Sequence, residues 1–208
     1  MRGYRGNALL TLIALFLLAP AVDAKAVNPP GVSDATASLG FPEKVKTFGQ
    51  ETPLHGFGTR KATLFGIKVY HAAFYSTKNL KSLAEVLADT DPKRLDIRYV
   101  RDFGLEDTNE AWKYQFKESA GANLREIAPE IEKLISFQKP IHEGDVQRFE
   151  FRDGMVTFSI NDEKRGEIRS KKFEEALLTI FFGPNPPTKE LQRGLFRGVA
   201  NEATLPVK

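Results

Sequence analysis

The chain has 208 residues, a formal net charge of +3 and no cysteine. The missing cysteine rules out disulfides, thiolate metal sites and a thiol nucleophile. Basic and acidic residues are close in number, 30 against 27, and interleaved as in Glu163-Lys164-Arg165 and Lys171-Lys172-Phe173-Glu174-Glu175, so no basic stripe forms and nucleic acid is not an expected partner.

Residues 1–24 read as a targeting segment. Arg2 and Arg5 make a short positive start, Ala8 to Val22 is an apolar run broken at Pro20, and Val22-Asp23-Ala24 fits the small-residue rule for cleavage. A signal peptide over 1–24 implies a mature chain beginning at Lys25 and a periplasmic or secreted protein. The alternative is an uncleaved anchor. The apolar run is short for a membrane span and no stop-transfer pattern follows, so no stable transmembrane anchor is expected after cleavage. The remaining 184 residues carry a charge of +2 and suffice for one domain, over 41–208, held by packing of its 16 Phe.

Residues 25–40, rich in Ala, Pro, Gly and Ser, read as a flexible leader. Pro42 to Phe48 and Thr52 to Phe57 look like short strands. Arg60 to Phe65 and Ile67 to Tyr75 read as a hairpin with Gly66 near its bend. Ser76 to Asp91 has helical spacing, with Leu80, Leu83, Val86 and Leu87 on one face, and Asp91-Pro92 stops it. Leu95, Ile97 and Tyr99 alternate as a strand. Asp107 or Thr108 can cap a helix that sets Trp112 and Phe116 one turn apart and breaks at Gly121. A further helix is expected over about Leu124 to Ser136.

Asp145 to Ile160 is the clearest hairpin. Phe149 and Phe151 alternate on the strand before Asp153-Gly154, and Val156, Phe158 and Ile160 on the strand after it. Asn161 to Gly166 reads as a polar turn. Ser170 caps a helix with Phe173, Leu177 and Phe181 inside, ended by Gly183-Pro184. Thr188 caps a last helix with Leu191, Leu195 and Phe196 inward. Strands and helices come in runs without βαβ alternation, which predicts an α+β fold on an antiparallel sheet. Helices over one face leave room for an apolar slot between the layers.

Much chemistry is excluded. His55, His71 and His142 make no pair at i, i+3 or i, i+4, so no helical zinc site is expected. No G-x-S-x-G elbow and no GxGxxG after a strand occur, and Gly56-x-Gly58 opens a hairpin rather than a helix. No cofactor or metal is implied. Arg60, Tyr70 and Thr179 remain. A guanidinium and a phenol converging on one cavity can grip a carboxylate or steady an enolate. Spacing alone leaves two readings of Arg60 open, an anion receptor or a surface charge at a hairpin end. It likewise leaves Thr179 as a ligand contact or a hydroxyl bonded one turn back. His71 alternates with Tyr70 and is expected on the opposite sheet face.

Three segments resemble the chalcone isomerase-like superfamily: Gly56-Phe-Gly-Thr-Arg60; Lys68-Val-Tyr-His-Ala-Ala-Phe-Tyr75; and Phe173 to Gly183 followed, after a proline-rich turn, by Thr188 to Leu195. Together, in this order, they are spread along most of the mature chain. The resemblance implies an open-faced β-sandwich, a large antiparallel sheet under a helical layer. It also implies one of two activities. Isomerases of this superfamily close a flavanone ring by intramolecular addition, with an arginine steadying the anion. Related members bind fatty acids, an arginine and a tyrosine holding the carboxylate. Arg60 matches the functional arginine of both, and would be catalytic only in an enzyme. Tyr70 falls where isomerases have a threonine and fatty-acid binders a tyrosine. Thr179 matches a substrate-contacting threonine. The tyrosine that the isomerases carry at the start of a middle helix is replaced in Asn109-Glu110-Ala111-Trp112-Lys113-Tyr114 by Trp112 or Ala111, with Tyr114 out of register. The resemblance therefore favours a non-catalytic binder of a small apolar acid, a fatty acid, at Arg60, Tyr70, Thr179 and Trp112. The alternative is an intramolecular lyase of the chalcone isomerase type acting on a flavonoid-like acid.

Overall fold

Alternating stretches rich in Phe, Val, Ile and Tyr pair with their neighbours in sequence, some across tight turns and some across helical connections. The computed structural model describes residues 38–62 and 66–196. The signal peptide over 1–24, nearly all of the leader, the expected strand end at 63–65 and the last part of the 41–208 domain lie outside the described residues.

Seven strands run antiparallel in chain order: β1 (Lys44–Thr47), β2 (Gln50–Ala62), β3 (Ile67–Tyr75), β4 (Lys93–Tyr99), β5 (Val146–Arg152), β6 (Met155–Ile160) and β7 (Glu163–Arg169). The helices are α1 (Leu83–Ala88), α2 (Leu105–Ala120), α3 (Ala128–Ser136), α4 (Lys171–Phe182) and α5 (Lys189–Phe196). The fold is the α+β, open-faced arrangement expected.

Several boundaries differ from the sequence reading, for physical reasons. The two strands expected before and after Gly58 are one long β2, because Gly56 and Gly58 pair with Phe74 and Ala72 instead of interrupting the ladder. The polar stretch after Ile160 is mostly a strand. Only Asn161 and Asp162 turn, both at positive φ, and Glu163–Arg169 pairs with β6 as a charged edge strand. Helix α1 is shorter than expected because Ser82 caps it on Glu85 N–H, leaving Leu80 buried in the preceding loop. Helix α2 starts at Leu105 with Gly104 as its cap, and Thr108 lies inside it, its hydroxyl donating to Gly104 O at 3.0 Å. Pro129 in the first turn of α3 splits the expected Leu124–Ser136 helix into a 3-10 turn (Gly121–Arg125) and α3.

Period-two alternation makes the sheet a partition. Its inner face packs Phe74, Leu95, Phe149 and Phe158 against Phe116, Phe173 and Leu177 of the helices. On the outer face Phe41, Val45 and Leu54 cover Ala73 and Tyr75. Beside them lies a charge ladder. Arg94 donates twice to Asp96, at 2.8 and 2.6 Å, and Arg148 donates to the same carboxylate at 3.1 Å. His71 is on the side opposite Tyr70, as alternation requires, bonded to Thr59 Oγ1 at 2.8 Å.

The glycines of the Gly56–Arg60 segment serve helix α5. A Cβ on Gly56 would lie 2.4 Å from Leu195 O, one on Gly58 2.8 Å from Leu191 O, and one on Gly194 2.2 Å from Phe57 O. Strand and helix therefore meet backbone to backbone. His55 fastens the contact. Leu80 N–H donates to its Nε2 at 2.9 Å, and its Nδ1 donates to Leu195 O at 2.9 Å. A carbonyl only accepts and an amide N–H only donates, so the bonded ring is neutral. Burial accordingly holds its pKa below the ordinary 6.5.

Two outcomes follow from this seat. Gly56→Ala should cost about 1–3 kcal/mol of stability by overpacking against a backbone that cannot rotate away. Urea denaturation measures it, and a loss within error would mean that α5 is not seated there. The depressed His55 pKa contributes stability that is complete above the unfolded value near 6.5 and is lost as pH falls through the lower folded value. The urea midpoint should drop on acidification below pH 6.5, with a shallower drop in His55→Gln; equal slopes would contradict a neutral, doubly bonded ring.

Candidate functional site

Strand pairing brings the candidate residues together. Arg60 on β2 is in register with Tyr70 on β3, and a bulge follows between Arg60 and Lys61. The guanidinium carbon lies 5.7 Å from the Tyr70 ring centroid. Tyr70 meets Tyr99 of β4 edge to face at 5.8 Å, and Tyr99 meets Phe103 at 5.6 Å. Opposite them, Trp112 of α2 and Ile180 and Phe181 of α4 close a cavity of about 390 Å³. The slot expected between sheet and helices is thus present, lined by Arg60, Tyr70 and Trp112 together. Its rim on α2 carries Asp107, Glu110 and the exposed Tyr114.

Arg60 is half-buried, and its Nε is buried with no hydrogen-bond partner among the described residues. No described carboxylate forms an ion pair with it. By contrast, Arg94, a buried arginine of the sheet, has its bidentate Asp96. A buried donor left unmade costs roughly 1–3 kcal/mol, more for a charged group, so Arg60 is a site waiting for an acceptor.

Burial pushes the Tyr70 phenol well above its ordinary pKa, with Arg60 pulling part of the way back. Tyr70 is therefore a neutral donor at physiological pH. Burial and the neighbouring Tyr70 push Tyr99 up as well. Its hydroxyl donates to Gln147 Oε1 at 2.9 Å. A guanidinium beside a neutral phenol can bind a carboxylate through charge-assisted hydrogen bonds.

Thr179 is placed differently. Its hydroxyl donates to Glu175 O at 2.7 Å, one turn back, and its methyl faces Gly183; the neighbouring Ile180 lines the cavity instead. Tyr99 was not singled out from sequence, although it ends the alternating Leu95-Ile97-Tyr99 set. A phenol closing an apolar strand face was the available signal. Among the described residues no cluster of three His, Asp or Glu could hold a metal ion, and no helix is long and apolar enough to cross a membrane.

An antiparallel sheet covered on one face by helices, with an arginine-bearing apolar cavity between the layers, defines an open-faced α+β protein. The sequence profile described as chalcone isomerase-like matches residues 33–196, and the chain belongs to that family. Among solved structures, it is similar to a fatty-acid binding protein of Arabidopsis thaliana, AtFAP1, with a TM-score of 0.56 and 17% identity, covering 75% of this chain and 90% of that one. At that identity the likeness shows the fold. A search of the curated proteins finds no match.

The single tryptophan, Trp112, is 6% exposed and lines the cavity, so its fluorescence reports occupancy. Titration with dodecanoic acid should change its emission saturably; emission unaffected at saturating acid would mean that the cavity does not take up the acid.

Proposed function

We propose that this protein binds a fatty acid or similar apolar carboxylate between sheet and helices, without catalysing a reaction, and that it does so after export from the cytoplasm. The observation that carries the reading is Arg60, with no counter-ion among the described residues, in a mostly apolar cavity whose carboxylates, Asp107 and Glu110, stand on the α2 rim. Arg60 and Tyr70 take the head group, and the walls around Trp112, Ile180 and Phe181 take the tail. The likeness to a plant fatty-acid binding protein agrees with this assignment. The signal-like residues 1–24 support export.

Magnitudes support a tail-driven affinity. At ~30 Å³ for each water-sized group, the cavity of about 390 Å³ admits roughly a dozen non-hydrogen atoms, a medium-length chain. Burying about ten methylenes at ~0.8 kcal/mol each gains roughly 8 kcal/mol, much of it offset by lost ligand and side-chain freedom. The Arg60 contact adds about 1.5–3 kcal/mol and sets orientation. Tyr70, where the isomerases have threonine, places a second donor beside the arginine and favours holding an acid over closing a ring.

Native mass spectrometry of the purified protein, followed by extraction of whatever it carries, tests the reading. A fatty acid is expected in the unaltered protein. Arg60→Ala should lose it, and its affinity for dodecanoic acid should fall more than ten-fold at an unchanged melting temperature. Equal affinity in Arg60→Ala would remove Arg60 from the site. An unfolded variant would make Arg60 structural.

A further inference from the structure

The two tyrosines of the cavity offer opposite hydrogen-bonding faces. Behind Tyr99 a chain of bonds ends on the backbone carbonyl of Leu134. A carbonyl only accepts, and the chain of bonds runs toward it. Gln138 turns its NH₂ to Leu134 O at 3.5 Å, which leaves its oxygen for Gln147. Gln147 donates Nε2 to that oxygen at 2.7 Å and so presents its own oxygen to Tyr99, whose hydroxyl donates to it at 2.9 Å. Both glutamines are buried, Gln147 completely, so bulk water does not reorient them.

The Tyr99 proton is therefore committed to Gln147, and the phenol oxygen remains as an acceptor. Among the described residues nothing donates to it. Tyr70, by contrast, has no described hydrogen-bond partner and keeps its proton for a ligand. On its sheet side the cavity thus combines two donors, Arg60 and Tyr70, with one acceptor, Tyr99. A simple carboxylate uses the donors and has nothing to give the acceptor. A hydroxyl near the carboxylate does.

Building on the acid-binding reading above, we infer that the ligand is a hydroxylated apolar acid. Its carboxylate lies on Arg60 and Tyr70, and a hydroxyl a few bonds away donates to Tyr99. The specificity resides in the direction of the Tyr99–Gln147–Gln138 chain.

The test compares dodecanoic, 2-hydroxydodecanoic, 3-hydroxydodecanoic and 3-methoxydodecanoic acids by calorimetry on the purified protein. One of the hydroxy acids should bind about five-fold tighter than dodecanoic acid, as expected for one added hydrogen bond. The methoxy acid, which has no donor, should gain nothing. In Tyr99→Phe the ratio of hydroxy-acid to plain-acid affinity should fall to about one. Hydroxy acids that bind no tighter than dodecanoic acid, a gain shared by the methoxy acid, or a ratio that survives in Tyr99→Phe would each overturn the inference. If Tyr99→Phe does not fold, the methoxy comparison in the unaltered protein decides. Dodecanoic acid bound through Arg60 with no preference for a hydroxyl overturns this inference alone. Failure of every acid to bind overturns the acid-binding reading and this inference with it.

Discussion

The inner face of one antiparallel sheet must be covered, and nearly every other feature answers that need. Its strands carry Phe, Leu and Ile at alternate positions, so one face cannot meet water. Helices α2 and α4 supply the cover. Because the cover is made of separate helices, its fit need not be perfect everywhere. The cavity lies where it is incomplete, between β2–β4 and the two helices.

The last helix is held by a different kind of contact. Helix α5 rests on the backbone of β2 at Gly56 and Gly58, with His55 bonded to both Leu80 and Leu195. Side-chain packing tolerates repacking, whereas backbone on backbone does not. A few residues further along the same strand stands Arg60. One segment thus anchors a helix and presents the charged group of the cavity. The glycines of this segment are explained by helix packing. The functional reading rests instead on Arg60 and its lack of a counter-ion.

Polar groups are distributed by the same partition. The outer face holds arginines that are answered, Arg94 and Arg148 by Asp96. On the inner side Arg60 is unanswered among the described residues, and Tyr99 is answered only through its proton. Buried polar groups are ordinarily satisfied, so an unanswered one that lines a cavity marks where a ligand would complete the structure. Arg60 and Tyr99 line the same cavity, which gives its chemistry a direction: donors for an anion and an acceptor for a hydroxyl.

The residues by themselves determined the two-sided strands, the Asp153-Gly154 turn, the Ser170 and Thr188 caps and the placing of Tyr70 and His71 on opposite faces, because these depend on local periodicity and local hydrogen bonding. They also made Arg60 and Tyr70 candidates. They did not reveal β7, whose charged sequence resembles a turn until β6 supplies its partner. Nor did they separate Trp112, which faces the cavity, from Thr179, whose hydroxyl is occupied by its own helix. Whether Arg60 is an unpaired cavity group or a solvated charge depends on which distant carboxylates reach it. What Tyr99 can offer depends on Gln147, 48 residues away, and on Gln138, which Gln147 bonds in turn. Such facts belong to tertiary structure alone, since satisfying a hydrogen bond takes two groups and the sequence names them without bringing them together.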